Sequence, residues 1–115
     1  MIKELEEKNE NDSSFKIISL GGDAKSRIKE ALAIIKERKY SEAETLLKTS
    51  EENIIKARKI QHKLLTKEIR ENNMISSILI NHAMDILMSA ETELHLVNFL
   101  YPYIKDLQEK LVANG

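Results

Sequence analysis

Two residues with reactive side chains, His82 and Asp85, lie three positions apart in the last third of the sequence. Side chains three residues apart share one face of an α-helix, so this spacing would bring an imidazole next to a carboxylate. Such a pair can orient the imidazole, bind a metal ion, or form an ion pair at an interface. Neutral imidazole is a competent nucleophile near pH 7, and the spacing alone leaves all three alternatives open.

The composition excludes several other kinds of chemistry. The 115 residues include no Cys, which excludes a disulfide framework, a zinc–thiolate site and a cysteine nucleophile, and suits a reducing cytoplasm. Lys and Arg number 18 against 19 Asp and Glu, so the net charge of −1 gives no drive toward nucleic acid or a membrane surface. No apolar run approaches the ~20 residues that span a bilayer, and the start does not have the pattern of a signal peptide. We expect a single cytoplasmic, soluble domain.

With only three Gly and one Pro, the chain has few places to turn and should form long helices. Three segments repeat small or apolar residues at alternating spacings of three and four, with breaks near 37–39 and 71–73 and an expected N-cap at Ser76 or Ser77. The predicted core residues are Ile17, Gly21, Ala24, Ile28, Ala31, Ile35, Tyr40, Ala43, Leu47, Ser50, Ile54, Ala57, Gln61, Leu64, Ile80, Ala83, Leu87, Ala90, Leu94, Val97, Tyr101, Ile104 and Leu111. The sequence predicts an all-α fold, an antiparallel three-helix bundle of the spectrin-repeat type.

The expected domain covers residues 15–115. Residues 1–14 carry five acids and two lysines, which indicates a flexible N-terminal tail, with a short extra helical turn from Ile2 and Leu5 as the alternative. Pro102 falls inside the third segment, where it should bend the helix near residues 98–101. We interpret that bend as tolerated over the end of the bundle, with a functional hinge as the alternative.

The third segment has a second, mostly apolar stripe, about 130° away from its core residues at ~100° per residue. Its members are Ile78, His82, Asp85, Ser89, Leu96, Leu100, Tyr103 and Leu107. In a lone bundle this α3 stripe would face water, and a long exposed apolar stripe usually marks an interface. It therefore predicts self-association with cyclic symmetry, the alternative being that the N-terminal tail covers it.

Several short motifs resemble one bacterial family. Residues 77–88 (SILINHAMDILM) resemble the His-Ala-Gln-Asp-His-Leu-Met signature of lactose/cellobiose-type IIA components of the sugar phosphotransferase system (PTS), and residues 22–26 (GDAKS) resemble the family's Gly-Asp-Ala-Arg-Ser. Residues 40–44 and 57–61 fall where the family has an aromatic-x-x-Ala and an Ala-His-x-x-Gln element. The four motifs occur in order over residues 15–112.

The resemblance implies a homotrimer of three-helix bundles. It implies that His82 accepts a phosphoryl group from the histidine-containing phosphocarrier protein and passes it to a cysteine of the IIB component during sugar uptake. It also implies that Asp85 lies near the three-fold axis, where three copies hold a divalent metal, typically Mg²⁺. Three carboxylates on an axis repel one another, and a hard cation with oxygen ligands would offset this repulsion. We therefore expect the metal to be structural rather than catalytic.

The sequence departs from the family pattern beside the expected acceptor. Ile86 replaces the second motif histidine and Met84 the motif glutamine, while Arg58 replaces the histidine of the second helix. Neither Ile86 nor Met84 can orient His82 or donate a hydrogen bond to a phosphate. These departures favour a competing hypothesis, a regulatory or scaffolding relative without phosphotransfer. A third hypothesis, an unrelated helical adaptor, does not account for the Gly-Asp-Ala motif.

Three polar features have simpler interpretations. Gln61 is expected to be a buried polar group with a partner, with a place near the phosphate as the alternative. His62 and His95 match no family site, and we expect surface or interface positions for both. The stretch 56–70 has six Lys and Arg and one Glu; it is typical of a solvated face, and it could steer a docking partner.

Overall fold

The computed structural model describes residues 2–70 and 78–114, which form three long helices. They are α1 (Ile2–Lys36), α2 (Tyr40–Arg70) and α3 (Ile78–Asn114). Helix α2 runs antiparallel to α1, and α3 runs parallel to α1. The three helices form a rod of 69 × 19 × 18 Å. The described residues include no strand, so the predicted all-α three-helix bundle is confirmed.

The core follows the predicted spacing. The buried apolar residues are Ile17, Ala24, Ile28, Ala31, Ile35, Ala43, Leu47, Ile54, Ala57, Leu64, Ile80, Ala83, Leu87, Ala90, Leu94 and Val97. The prediction for Leu111 is wrong, because this side chain is 66% exposed. Gln108 already lies level with the last turn of α1, so α3 projects beyond its two partner helices at Leu111 and has nothing there to pack against.

A tight turn joins α1 to α2. Arg38 adopts φ 63°, in the left-handed region, and its amide donates to the carbonyl of Ile35 at 2.9 Å. The amide of Lys39 donates to the carbonyl of Ile34 at 3.0 Å. These two bonds form the Schellman arrangement that ends many helices, although an arginine stands where glycine is usual.

Two other expectations concern the ends of the helices. Helix α1 begins at Ile2, so residues 2–14 continue the helix, further than the extra turn expected as the alternative to a tail. The division of the chain at residue 14 stays a prediction. Helix α3 continues without a break through Pro102. The helix end expected at 71–73 and the N-cap expected at Ser76 or Ser77 lie outside the described residues.

Polar side chains link the three helices near the α1–α2 turn. The Tyr40 hydroxyl donates to Gln108 Oε1 at 2.6 Å, and Gln108 Nε2 donates to the carbonyl of Ile35 at 3.0 Å. The Tyr101 hydroxyl donates to Glu44 Oε2 at 2.8 Å. Burial, followed by the Glu44 carboxylate, raises the pKa of Tyr101 above its ordinary range. This end of the bundle is therefore closed by bonds between all three helices.

Candidate functional site

Helix α3 begins at Ile78, which places His82 and Asp85 within its first turns, in the half of the rod away from the α1–α2 turn. Helix α1 starts at Ile2 and extends well beyond the level of these two residues. Both side chains are exposed. They share one face, as the three-residue spacing predicts. The site therefore lies on the side of the bundle, where another protein can reach it.

The α3 stripe that contains His82 is uncovered within the chain. Ile78 is 90% exposed, and the other apolar members, Leu96, Leu100, Tyr103 and Leu107, are also exposed. Only Ser89 is half-buried, because it bonds to α1. The alternative in which the N-terminal segment covers this stripe is therefore wrong for residues 2–14. Self-association through the stripe stays a prediction.

No polar side chain holds His82 in place among the residues that the structure describes. Its imidazole makes no hydrogen bond or ion pair there, and it does not pair with Asp85. The position of the imidazole is then set by the α3 backbone and by the rotamers open to an exposed side chain. Anything that moves α3 along the bundle moves His82 with it.

The apolar replacements next to His82 have separate contacts. Ile86, one turn further along α3, packs against Gly21 of α1, where an added Cβ would lie only 2.7 Å from Ile86 Cγ2. Met84, which is half-buried, accepts a hydrogen bond at its sulfur from Gln61 Nε2 at 2.7 Å. The expectation of a buried Gln61 with a partner is confirmed for the partner, but the side chain is half-buried and not fully buried.

Arg58 ties α2 to α3. Its guanidinium contacts Glu91 Oε1 from both Nε at 3.0 Å and Nη2 at 2.9 Å. Arg58 is exposed, so this ion pair contributes less than about 1 kcal/mol to stability. Arg58 is thus occupied by a partner in α3 and is not directed at His82.

No group of three or more His, Asp or Glu side chains that could hold a metal ion is present in one chain over residues 2–70 and 78–114. Asp85 offers a single exposed carboxylate. A carboxylate is a suitable ligand for Mg²⁺, but one such group does not form a site. A metal at Asp85 would need the same residue from further copies of the chain.

The motif on the first helix connects α1 to both of its neighbours. Asp23 Oδ2 accepts hydrogen bonds from Arg27 Nε at 2.8 Å and from Asn53 Nδ2 at 2.5 Å. The Arg27 bond, then the Asn53 bond, holds the pKa of Asp23 below its usual value despite some burial. The Ser50 hydroxyl donates to the carbonyl of Ala24 at 3.1 Å.

Lys25 extends this motif to the third helix. Its ammonium donates to Ser89 Oγ and, at 2.7 Å, to Glu93 Oε1. Sequence reasoning missed Ser89, Glu93 and Asn53 as partners, because contacts between residues 30 to 68 positions apart leave no trace in helical spacing. The only available signal was the motif at residues 22–26, since periodicity does not require an Asp or a Lys there.

The remaining basic and histidine side chains lie on the surface. His62 and His95 are exposed, as expected. Lys56, Lys59 and Lys63 are exposed as well, which confirms a solvated face for that part of the basic stretch. No helix in the described part of the chain is long and apolar enough to cross a membrane.

Comparison with known proteins identifies a family. The family model for "PTS system, Lactose/Cellobiose specific IIA subunit" matches residues 12–105. The lactose-specific EIIA component of Staphylococcus epidermidis is 36% identical over 75 residues, which cover 65% of this chain and 72% of that protein. The oligo-beta-mannoside-specific EIIA component of Bacillus subtilis is 33% identical over 92 residues, 80% of this chain and 84% of that protein.

A solved structure has the same fold. The crystal structure of the cellobiose-specific enzyme IIA of the PTS from Bacillus anthracis superposes with a TM-score of 0.75 at 34% sequence identity. The match covers 90% of this chain and 92% of that chain. The three relatives carry three different sugar names, so the likeness identifies a type of component and no particular sugar.

Proposed function

The chain belongs to the lactose/cellobiose-specific IIA family of the PTS and so has a part in sugar phosphotransfer, and we propose that His82 is the residue that carries the phosphoryl group. The single observation that carries this proposal is the position of His82. It lies at the first histidine of the family signature, on an exposed face, with no described side chain in hydrogen-bond contact with its imidazole. An incoming phosphohistidine can therefore approach it.

The reaction is an exchange of one P–N bond for another. A lone pair on a ring nitrogen of neutral His82 attacks the phosphorus, and the P–N bond of the phosphocarrier protein's phosphohistidine, protonated on its second ring nitrogen, breaks. The donor imidazole leaves as the neutral form with the bonding pair, and phosphorylated His82 keeps the proton on its own second ring nitrogen. In the second step a thiolate of the IIB component attacks the same phosphorus, and the imidazole of His82 leaves. Both steps depend mainly on positioning and on stabilising charge on the phosphoryl oxygens.

The surroundings of His82 bear on how this chain performs the two steps. Ile86 and Met84 offer no hydrogen bond to a phosphoryl oxygen, and Arg58 is already paired with Glu91. The charge on the transferred group must then be met by the donor or the acceptor protein. We infer that the rate depends strongly on docking of the partner, and that isolated phosphorylated chain is slow to lose its phosphate to other acceptors.

The proposal extends to assembly and location. We infer that three chains associate through the α3 stripe in the cytoplasm, which would cover its exposed apolar members. Around a three-fold axis, three Asp85 carboxylates would supply oxygen ligands of the kind that Mg²⁺ prefers. Such a cation would offset the repulsion between the carboxylates and would have a structural role.

The test is phosphorylation of the purified chain. The chain is incubated with phosphoenolpyruvate, enzyme I and the phosphocarrier protein, and the intact mass is measured before and after brief acid treatment. We expect a gain of one phosphoryl group that acid removes, and no gain for His82→Gln. His62→Gln and His95→Gln are matched controls on exposed histidines and should be phosphorylated like the wild type.

The outcomes separate the competing hypotheses. A wild-type chain that gains no phosphate would rule out phosphotransfer and favour the regulatory or scaffolding relative, for which Ile86 and Met84 are the supporting features. Phosphate that persists in His82→Gln would refute only the site. Addition of a IIB component should remove the phosphate from the wild type, and retention would contradict the second step.

A further inference from the structure

We propose that Lys25 is a positioning residue for His82, acting through Ser89 and Glu93 to set where α3 lies along α1. The proposal rests on the proposed function of His82. It assigns a role to the motif on the first helix, which the phosphotransfer steps do not use. It also accounts for how the α3 backbone that carries this exposed imidazole is held in one place.

Helix α1 is the main support of α3. Helix α3 contacts α1 much more extensively than it contacts α2. Between described side chains, its direct polar links to α2 include those at Arg58, Gln61 and, at the turn end, Glu44 and Tyr40. The position of α3 in the half of the rod with His82 is therefore set mainly by its packing on α1.

The repeating part of the apolar core does not by itself define the register of these two helices. On α1, Ala24 and Ala31 are seven residues apart, as are Ile28 and Ile35, and all four are buried. On α3, Ala83 and Ala90 repeat in the same way, as do Leu87 and Leu94. A slide of one heptad would again bring these small residues to small and large to large, but it would move Ile86 away from Gly21, and Ile17 interrupts the small-residue repeat on α1. The register is therefore set by this shape match together with specific polar contacts.

Lys25 supplies a specific polar contact between α1 and α3. Its ammonium donates to Ser89 Oγ and to Glu93 Oε1, two groups one helical turn apart on α3. The three side chains are partly buried, so the bonds are shielded more than those of a fully exposed pair. A slide of α3 by a single residue would move these acceptors by about 1.5 Å and break the arrangement.

The backbone of α3 connects the Lys25 contact to His82. Ser89 lies on the same stripe as His82, two turns further along α3, with Ile86 between them. Ile86 fits against Gly21, where any side chain would collide with it. A helix transmits an axial displacement along its length, so the Lys25 contact and the Gly21 contact together define where the backbone of His82 lies.

The experiment combines kinetics with a distance. Lys25→Met keeps most of the side-chain stem and removes the three donors, whereas Lys25→Arg keeps donors and should restore function. Lys29→Met is the matched control, since Lys29 is an exposed lysine one turn along the same helix with no described ion pair. The rate of phosphate gain from the phosphocarrier protein is measured as a function of the carrier's concentration.

The distance is measured by electron spin resonance on a pair of labels. The native chain has no Cys, so Ser19→Cys on α1 and Thr92→Cys on α3, both exposed, accept labels specifically. Labelled chain is diluted with unlabelled chain, so that only distances within one chain are recorded. Lys25→Met should shift or broaden the distance by about 1.5 Å or more, one residue of sliding, and Lys29→Met should not.

We expect Lys25→Met to lower kcat by about tenfold to 100-fold with an unchanged KM, because a displacement near 1 Å has effects of that size. Lys25→Arg should return kcat to within about threefold of the wild type. A Lys25→Met chain that keeps the wild-type kcat, or the wild-type label distance, would overturn the proposal. If the variant fails to fold by circular dichroism, Ser89→Ala, which removes only one acceptor, replaces it in both measurements.

Failure of the proposed function has a different signature. If the wild-type chain gains no phosphate at all, the phosphotransfer hypothesis is refuted while the label distance can still be read. An altered distance in Lys25→Met would then support its control of the helix register, and an unaltered distance would refute it.

Discussion

The end of the rod at the α1–α2 turn and the region around the start of α3, called here the His82 end, are held together in different ways. At the α1–α2 turn, Gln108 bonds both Tyr40 and the last turn of α1, and Tyr101 bonds Glu44. At the His82 end, His82 and Asp85 are exposed and have no such partners among the described residues. The turn end is closed by side chains that bond to each other, whereas His82 and Asp85 remain exposed to other molecules.

The difference indicates where stability and function are placed. Buried or half-buried hydrogen bonds stabilise the turn end and would be costly to leave unpaired. An imidazole that exchanges a phosphoryl group with two proteins in turn must keep its reactive nitrogen accessible, which limits the bonds that can fix it to those of its second nitrogen. We infer that the His82 end obtains its order indirectly, through the contacts of α3 with α1.

The largest expected effect is at Gly21, which supports the His82 end. Gly21→Val should lower the free energy of unfolding by about 2–3 kcal/mol, because Ile86 is β-branched, has little rotamer freedom in a helix and must be displaced. Gly22→Val is the control, since an added Cβ there meets nothing within 4 Å. Urea unfolding monitored by circular dichroism measures both, and equal stabilities would contradict the tight contact.

The same pair of variants also tests the link to function. Gly21→Val should slow phosphorylation of His82 even under conditions where the variant is fully folded, whereas Gly22→Val should not. Adding Ile86→Ala to Gly21→Val should recover part of the lost stability by making room for the new side chain. No recovery would show that the valine collides with something other than Ile86.

The next effect is at the turn end. Gln108→Ala leaves the half-buried Tyr40 hydroxyl and the Ile35 carbonyl without their partner, and should lower the free energy of unfolding by about 1–2 kcal/mol. Glu109→Ala, at an exposed neighbouring position, should change it by less than about 0.5 kcal/mol. Phosphorylation should stay within about twofold of the wild type in both. A strong loss of phosphorylation in Gln108→Ala would contradict the separation of the two ends.

A smaller effect, of opposite sign, is expected in the turn itself. Arg38 has φ 63°, a conformation that costs an L-residue about 1 kcal/mol and glycine almost nothing. Arg38→Gly should therefore raise the free energy of unfolding by somewhat less than about 1 kcal/mol, since glycine also makes the unfolded chain more flexible. Arg38→Ala should give no increase. A decrease for Arg38→Gly would show that the Arg38 side chain has a stabilising contact of its own.

The smallest effect is a pH dependence at Asp23. The hydrogen bonds from Arg27 and Asn53 lower the pKa of this carboxyl in the folded state, so its contribution is fully present above the unfolded pKa of about 3.9 and is lost as the pH falls through the folded value. Asp23 is nearly half exposed, so the contribution is about a few tenths of a kcal/mol. Unfolding measured from pH 5 down to pH 2 should show a steeper loss for the wild type than for Arg27→Gln. Parallel curves would contradict this assignment.

Much of the fold could be predicted from spacing because a bundle core repeats with the helix period. The break at 37–39 matches the observed turn. The burial of Ile17 and of Leu87 follows from the alternating spacings of three and four residues. Leu111 shows the limit, because periodicity continues along a helix after its partner helices have ended. The helical start at Ile2 shows another limit, since polar composition does not distinguish a helix extension from a tail.

The candidate site was predictable in part. The shared exposed face of His82 and Asp85 follows from their spacing, and the resemblance in the motifs identified the family. The contacts of Lys25 with Ser89 and Glu93, and of Gln108 with Tyr40, could not be predicted, because they join residues 64 to 68 positions apart. Such pairs depend on the relative register of two helices, which a repeating apolar pattern does not determine.

The most direct test of the central claim is to locate the phosphate on the unaltered chain. The chain is phosphorylated through the phosphocarrier protein, digested at alkaline pH to preserve phosphohistidine, and its peptides are fragmented by electron transfer in a mass spectrometer. We predict a phosphoryl group on His82 and unmodified His62 and His95. Phosphate on either of those residues with His82 unmodified would contradict the account.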